Sequence, residues 1–177
     1  MTLDIIVPHY KETTEVIKPL LDSIALQQNV DFKIIKVTIV DDGFDCTEIK
    51  LNKENYPYEI THLKMPKGGV SAARQYGIDN TNGDYIIICD CDDMFYSNVG
   101  LWLVLNEAKK SNFDFMISNF IEESRTPDKK EIVYIPHEID ATFVHGKVYQ
   151  RKFLDDNKIK WNKNLTIHED SYFNILC

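Results

Sequence analysis

The chain lacks any run long and apolar enough to cross a bilayer. Its longest mostly apolar stretch, Val99 to Leu105, covers seven residues and includes Gly100, against the roughly 20 a spanning helix needs. It also lacks an excess of positive charge: 20 Lys and Arg against 28 Asp and Glu leave −8. A surface that acidic repels polyphosphate and excludes a broad nucleic-acid footprint, though a small anionic ligand stays possible where local positive charge or a metal ion receives it. Cysteine is scarce. Cys46, Cys89, Cys91 and Cys177 offer no C-x-x-C pair, no zinc-ligand spacing and no disulfide framework, so reduced thiols are expected. Met1-Thr2-Leu3-Asp4 has neither the basic nor the apolar region of a signal peptide. Repeats and low-complexity segments are absent. These absences predict a soluble, cytoplasmic domain that is not exported. What remains is ordinary: 177 residues, 44% apolar and 27% charged, enough for one domain that buries roughly 70% of the surface of its extended chain.

The first two thirds alternate between strand-like and helix-like segments. Asp4 to Val7 is an apolar run ended by Pro8. From Thr13 to Gln28, Val16, Ile17, Leu20, Leu21 and Ile24 follow helical spacing, with Pro19 predicting a late start or a kink. Lys33 to Val40 is β-branched and is expected to end at Asp41-Asp42-Gly43; Tyr58 to Leu63 is a third strand. Gly68-Gly69 precedes a helix carrying Val70, Ala73 and Ile78, and Asp84 to Cys89 is a buried strand that runs into carboxylates. This order predicts an α/β fold with a mainly parallel sheet flanked by helices. Ligands of such sheets bind outside the carboxyl ends of the strands, where Pro8-His9-Tyr10, Asp41-Asp42 and Asp90-Cys91-Asp92-Asp93 collect. In the last third, Asn98 to Lys110 is expected to be helical, Phe113 to Phe120 and Ile132 to Ile135 to be strands around a polar loop from Glu122 to Lys130, and Lys147 to Asp156 to be a helix. A final apolar pattern, with Tyr172, Phe173, Ile175 and Leu176, follows His168-Glu169-Asp170 and stops at Cys177, which predicts a chain cut short.

Four groups of residues point to chemistry. Asp90, Asp92 and Asp93 crowd three carboxylates at the end of a buried strand. They raise one another's pKa values unless a divalent cation relieves the repulsion, and hard oxygen ligands suit Mg²⁺ or Mn²⁺. A solvated acidic turn is the plain alternative. An EF-hand series fails at Asp93-Met94-Phe95, and Met94 departs from a haloacid dehalogenase signature. Asp41 and Asp42 stand where an acid accepts hydrogen bonds from a nucleoside, or where Asp-Gly simply makes a turn. Gly68-Gly69 ahead of a helix lets backbone approach an anion, with Arg74 about one turn in. Asp170 is either a general base or a helix-start carboxylate satisfying the dipole. His9, His62, His137 and His145 show no pairing at metal-ligand spacing and are expected in the core or on the surface.

In order along the chain, these residues resemble the family 2 glycosyltransferases of the GT-A fold. Ile5-Ile6-Val7-Pro8-His9-Tyr10-Lys11-Glu12 is similar to the opening "VSVIIPxYNxE", Val40-Asp41-Asp42-Gly43 to "VDDGS" with Phe44 in place of Ser, and Gly69 to Gln75 to "GxSxARN" with Gln in place of Asn. Gly83 to Asp93 resembles "GDYIxFLDxDD", the D-x-D box, and His168-Glu169-Asp170 the late "ED" motif. The resemblance implies a GT-A, Rossmann-like catalytic domain over residues 1–177, with a nucleotide-sugar half at 1–95 and an acceptor half at 96–177.

The resemblance further implies a metal-dependent, inverting transfer of a sugar from a UDP-sugar to a hydroxyl of a glycan, lipid or protein. Asp41 and Asp42 would bind the nucleoside, Pro8 and Tyr10 would line the base pocket, and Arg74 would support the base or diphosphate. Asp90 would contact the ribose, Asp92 would bind Mn²⁺ or Mg²⁺ bridging the diphosphate, Asp93 would shape the sugar site, and Asp170 would be the catalytic base. His9, Phe44 and Gln75 are unusual for the family, as is an end only seven residues after Asp170. Two other functions compete. A catalytically idle nucleotide-binding or scaffolding domain of the same fold would bind UDP without turnover. A nucleotidyltransferase would want a glycine-rich loop after the first strand, and Pro8 to Glu12 has no glycine.

Overall fold

The computed structural model describes residues 1–43 and 48–177; Phe44 and Cys46, singled out above, lie outside the described residues. In chain order the first half builds β1 (Leu3–His9), α1 (Thr14–Ala25), β2 (Ile35–Asp42), β3 (Glu59–Met65), α2 (Val70–Asp79) and β4 (Tyr85–Ile88). The second half adds α3 (Gly100–Ser111), β5 (Phe115–Ile117), β6 (Phe120–Arg125), β7 (Ile132–His137), β8 (Lys147–Gln150), α4 (Arg151–Asp156) and α5 (Glu169–Leu176).

Six strands form one sheet in the order β3-β2-β1-β4-β8-β5. The β3-β2-β1-β4 part is parallel, while β8 runs antiparallel to both β4 and β5. Parallel central strands are covered on both faces, which is why β1 and β4 read as near-continuous apolar runs, Asp4 being the interruption within β1. Alternate β1 side chains serve two cores. Leu3, Ile5 and Val7 pack with α1 and α3 on one face. Ile6 faces the other way, toward Ala72, Ala73 and Ile78 of α2, Leu154 of α4 and Phe173 of α5. The strand order reverses direction between β1 and β4, and that switch point is where open α/β sheets bind ligands. Pairing of β1 with β4 stops at Ile6↔Ile88, so Pro8, which has no N–H to donate, stands where the two strands part.

The mainly parallel sheet, and the helical face of Leu101, Leu105 and Ala108, all buried, agree with the sequence reading. Several local expectations are corrected. The helix carrying Pro19 starts at Thr14 and runs through the proline; Pro19 is its sixth residue, early enough that little of the backbone ladder is lost. β2 does not end before Asp41-Asp42 but includes both, paired with Lys64 and Met65 of β3. The single strand expected over Phe113–Phe120 is two, because β5 joins the main sheet while β6 turns out to pair with β7. Glu122 to Arg125, expected as loop, is therefore hairpin strand. Lys147 to Gln150 is not helix but the fully buried strand β8, followed directly by α4. At the far end only Phe173 of the final apolar pattern is core, whereas Ile175 is 80% exposed.

Helix α2 lies close against the sheet. A Cβ on Gly77 would collide with the Ile6 Cγ2 methyl and stand 3.2 Å from Val40 Cγ2. Gly77→Ala gains about 1 kcal/mol of helix propensity but overpacks this contact at a cost of about 1–3 kcal/mol. The variant is expected to be less stable by about 1 kcal/mol, read as a lower urea midpoint at unchanged m-value.

Candidate functional site

The carboxyl ends of β1, β2 and β4 bring the sequence-predicted residues to one edge, and most carboxylates there have a defined counterpart. His9, 1% exposed at the end of β1, places Nδ1 2.7 Å from Asp41 Oδ1 and Nε2 2.8 Å from the Glu12 carbonyl oxygen. The neighbouring Asp42 accepts from two backbone amides, Gly68 N–H at 2.6 Å and Gly69 N–H at 2.9 Å. Asp42 thereby fastens the Gly-Gly loop, and with it the start of α2, to the end of β2. Gly69 sits at φ +88°, a conformation costly for any residue with a side chain. Tyr10 projects beside this loop. Lys67 Nζ donates to its hydroxyl at 2.6 Å and lies 4.1 Å from the ring centroid, and that hydrogen bond draws the phenol's pKa down.

After β4 the chain turns back on itself. Asp90 N–H donates to Asp93 Oδ2 at 2.9 Å, which bends the acidic box so that Asp90 and Asp93 face one side while Asp92 is exposed. Cys91 turns inward and donates to the Pro8 carbonyl oxygen at 3.2 Å. Burial pushes the Cys89 and Cys91 thiols up, so neither supplies a thiolate nucleophile at neutral pH.

Arg74 joins the two ends of the predicted site. It is 3% exposed, donates from one terminal nitrogen to Asp90 Oδ1 at 3.0 Å and from the other to Asp170 Oδ1, and stands 3.9 Å from Glu169. Its guanidinium also lies 4.8 Å from the Trp161 ring centroid. That ring stacks on Phe173 at 4.3 Å, and its backbone N–H donates to Gln75 Oε1 at 2.9 Å. Burial alone would lower the Arg74 pKa; Asp90 and Asp170 outweigh it and raise it. Both terminal nitrogens of Arg74 thus meet carboxylates, while its buried Nε has no hydrogen-bond partner among the described residues. Asp170 does not cap its own helix. Its second oxygen accepts from Val144 N–H at 2.9 Å. Burial raises the Asp170 pKa above the ordinary carboxylate value, against the opposing pull of Arg74 and the Val144 amide.

One residue of the site escaped the sequence reading. His145, which spacing left without a partner, places Nδ1 3.1 Å from Asp93 Oδ2, and that hydrogen bond raises the imidazole's pKa against the effect of burial. One ligand atom each from Asp90, Asp93 and His145 lie within 4.8 Å of one another; Asp92 is outside this group. Nothing in the local sequence around His145 signals this, because the pair is separated by 52 residues.

A glycosyl transferase family 2 profile matches residues 4–173. Among curated proteins, the minor teichoic acid biosynthesis protein GgaB of Bacillus subtilis (strain 168) is 36% identical over 107 residues, 57% of this chain and 12% of GgaB. Among solved structures, S. aureus TarS 1–349 superposes with a TM-score of 0.75 at 20% identity over 99% of this chain and 55% of that one, and its complex with UDP-GlcNAc with a TM-score of 0.70. The mannosyltransferase PcManGT from Pyrobaculum calidifontis, in complex with GDP-Man and Mn²⁺, gives 0.66 at 16% identity, over 97% of this chain and 50% of that one. The chain thus spans about half of these solved chains and a smaller part of GgaB. It belongs to glycosyl transferase family 2, and its fold is that of the GT-A enzyme TarS.

Removing the central cation strands its partners. Arg74→Met is expected to cost about 3 kcal/mol, the low end for breaking a buried ion pair, because the Asp90 side chain stays 33% exposed. Chemical denaturation checks this, and a loss below about 1 kcal/mol would show that solvent already screens the pair.

Proposed function

We propose that this domain is a metal-dependent, inverting glycosyltransferase that moves a sugar from a nucleotide-sugar, with UDP as the nucleotide, to an acceptor hydroxyl. The observation that carries the reading is the Arg74 bridge, which holds Asp90 of the acidic box and Asp170 of the late motif on one guanidinium at the switch point of the sheet. Donor-side and acceptor-side carboxylates are thereby kept at a constant separation, the positioning a single displacement needs. Family membership supports the reaction class, and the UDP-GlcNAc bound by TarS supports the donor class.

Family membership supports the following division of labour. Residues 1–95 form the donor half: Pro8, Tyr10, Asp41 and Asp42 border the nucleoside, with Asp90 toward the ribose and Asp93 toward the sugar. Residues 96–177 form the acceptor half. Each Asp170 oxygen already accepts one hydrogen bond but keeps a second lone pair, and burial makes the carboxylate a better base than an exposed aspartate. It takes the proton of the acceptor hydroxyl while that oxygen bonds to the anomeric carbon from the face opposite the leaving group. The bond from that carbon to the diphosphate oxygen breaks with its electron pair, and the configuration inverts. Base assistance of this kind is worth on the order of 10²–10⁴ in rate. The donor set of Asp90, Asp93 and His145, with the exposed Asp92 beside it, fits a divalent ion. A bound Mn²⁺ or Mg²⁺ supplies Lewis-acid stabilisation of the charge gathering on the departing diphosphate.

Calorimetric titration of UDP is expected to give binding with Mn²⁺ that EDTA abolishes; equal binding under both conditions would remove the metal from the reading. Asp170→Asn should keep UDP affinity within a few-fold while turnover of a UDP-sugar falls by at least 10². Because burial raises the Asp170 pKa, the acid limb of kcat/KM should lie above the ordinary aspartate value of about 3.9, with activity lost as pH falls through it. Transfer by Asp170→Asn at the parent rate would place the base elsewhere.

A further inference from the structure

We propose that His145 is a nitrogen ligand of the metal ion and makes this site select a transition-metal ion such as Mn²⁺ over Mg²⁺. The inference rests on the metal-dependent reading above and adds which ion and which residue. His145 belongs to the connection between β7 and β8, not to the acidic box, and it is held in place from several sides. Phe120 and Phe143 flank its ring at centroid distances of 5.5 and 6.0 Å. Its carbonyl oxygen accepts from Nζ of the fully buried Lys147 at 2.8 Å. The next residue, Gly146, sits at φ +68°, and a Cβ there would collide with the Ser118 carbonyl oxygen. Ser118 in turn donates to the Gly146 carbonyl from its backbone N–H at 2.7 Å and from its hydroxyl at 2.9 Å. These restraints point Nδ1 at Asp93.

Two of the four other described histidines, His9 and His137, are committed elsewhere. His9 is bound to Asp41 and the Glu12 carbonyl, and His137 to Glu122 and Asp140. A site of carboxylates alone would bind Mg²⁺ and Mn²⁺ as hard oxygen-seeking ions. An imidazole tips the balance, because Mg²⁺ dehydrates reluctantly and takes oxygen ligands, whereas nitrogen donors favour first-row transition ions. His145 could instead serve only to hold Asp93 in place through the hydrogen bond, and spectroscopy separates these roles.

The test is Mn²⁺ titration of the full chain with and without UDP, followed by loss of the free-ion EPR signal, then electron spin echo modulation of the bound ion. The expected result is ¹⁴N coupling from a directly bound imidazole, replaced by ¹⁵N coupling when the protein is labelled with ¹⁵N-histidine. His145→Gln, which keeps a polar group for Asp93, should abolish the coupling and weaken Mn²⁺ binding about 10-fold or more. Mg²⁺ affinity, read by competition, should change far less. If the variant does not fold, the labelled parent protein decides alone. Bound Mn²⁺ without histidine coupling overturns this inference and leaves the metal-dependent reading intact; no bound Mn²⁺ in either condition overturns both.

Discussion

The guanidinium of Arg74 sits almost dry between Asp90 and Asp170, with the Trp161 ring beside it. Burying an unpaired cation costs several kcal/mol, so the arrangement holds only while both carboxylates are in place. Three separate parts of the chain must therefore agree on one position: the second turn of α2, the turn after β4, and the start of α5. Each is delivered by its own packing. Gly77 lets α2 lie directly on β1 and β2. Pairing with β1 sets where β4 ends. Asn174, buried beneath α5, accepts from the Tyr149 hydroxyl and donates to the carbonyls of Ala141 and Phe143. That anchor places the Val144 amide against Asp170.

The same edge shows how an acidic protein accommodates carboxylates gathered in one place. A chain of net charge −8 collects many of its carboxylates at this edge, yet most of them meet a donor built into the fold. Asp41 has His9, Asp42 the amides of Gly68 and Gly69, Asp90 and Asp170 share Arg74, and Asp93 has His145. The donors come from a helix, loops and neighbouring strands, so these carboxylates find hydrogen-bond donors without a basic surface. The exposed Asp92 differs from the rest in facing solvent.

How far the fold was legible depended on which contacts hold each element. β1, β2 and β4 announce themselves because central parallel strands are buried on both faces, and α1 and α3 because one helical stripe is buried. β8 does not. It is four residues, Lys147-Val148-Tyr149-Gln150, running without a break into the helix-forming Arg151-Lys152-Phe153-Leu154. Its extended state comes from antiparallel pairing with β4 and β5, partners that lie far off in sequence. β6 reads as loop for a related reason, although Ile132 to Ile135 of β7 reads as strand. Half-exposed strands with charged residues on the open face look like polar loop until a partner in register is supplied. Gln75, read as an irregular substitution in a motif, proves to tie the backbone of Trp161 to α2.

The sequence by itself determined the alternation of strands and helices, the edge at which they end, and the order of the carboxylate motifs. These depend on short-range periodicity and on residues adjacent in the chain. Tertiary structure alone decided which of those carboxylates meet. It turned Asp90 and Asp93 to one side and Asp92 to the other. It bridged Arg74 to Asp170 across 96 residues and brought His145 to Asp93 across 52. Spacing along the chain carries no record of such pairs, because their approach is set by the order of strands in the sheet and by the packing of helices on its two faces.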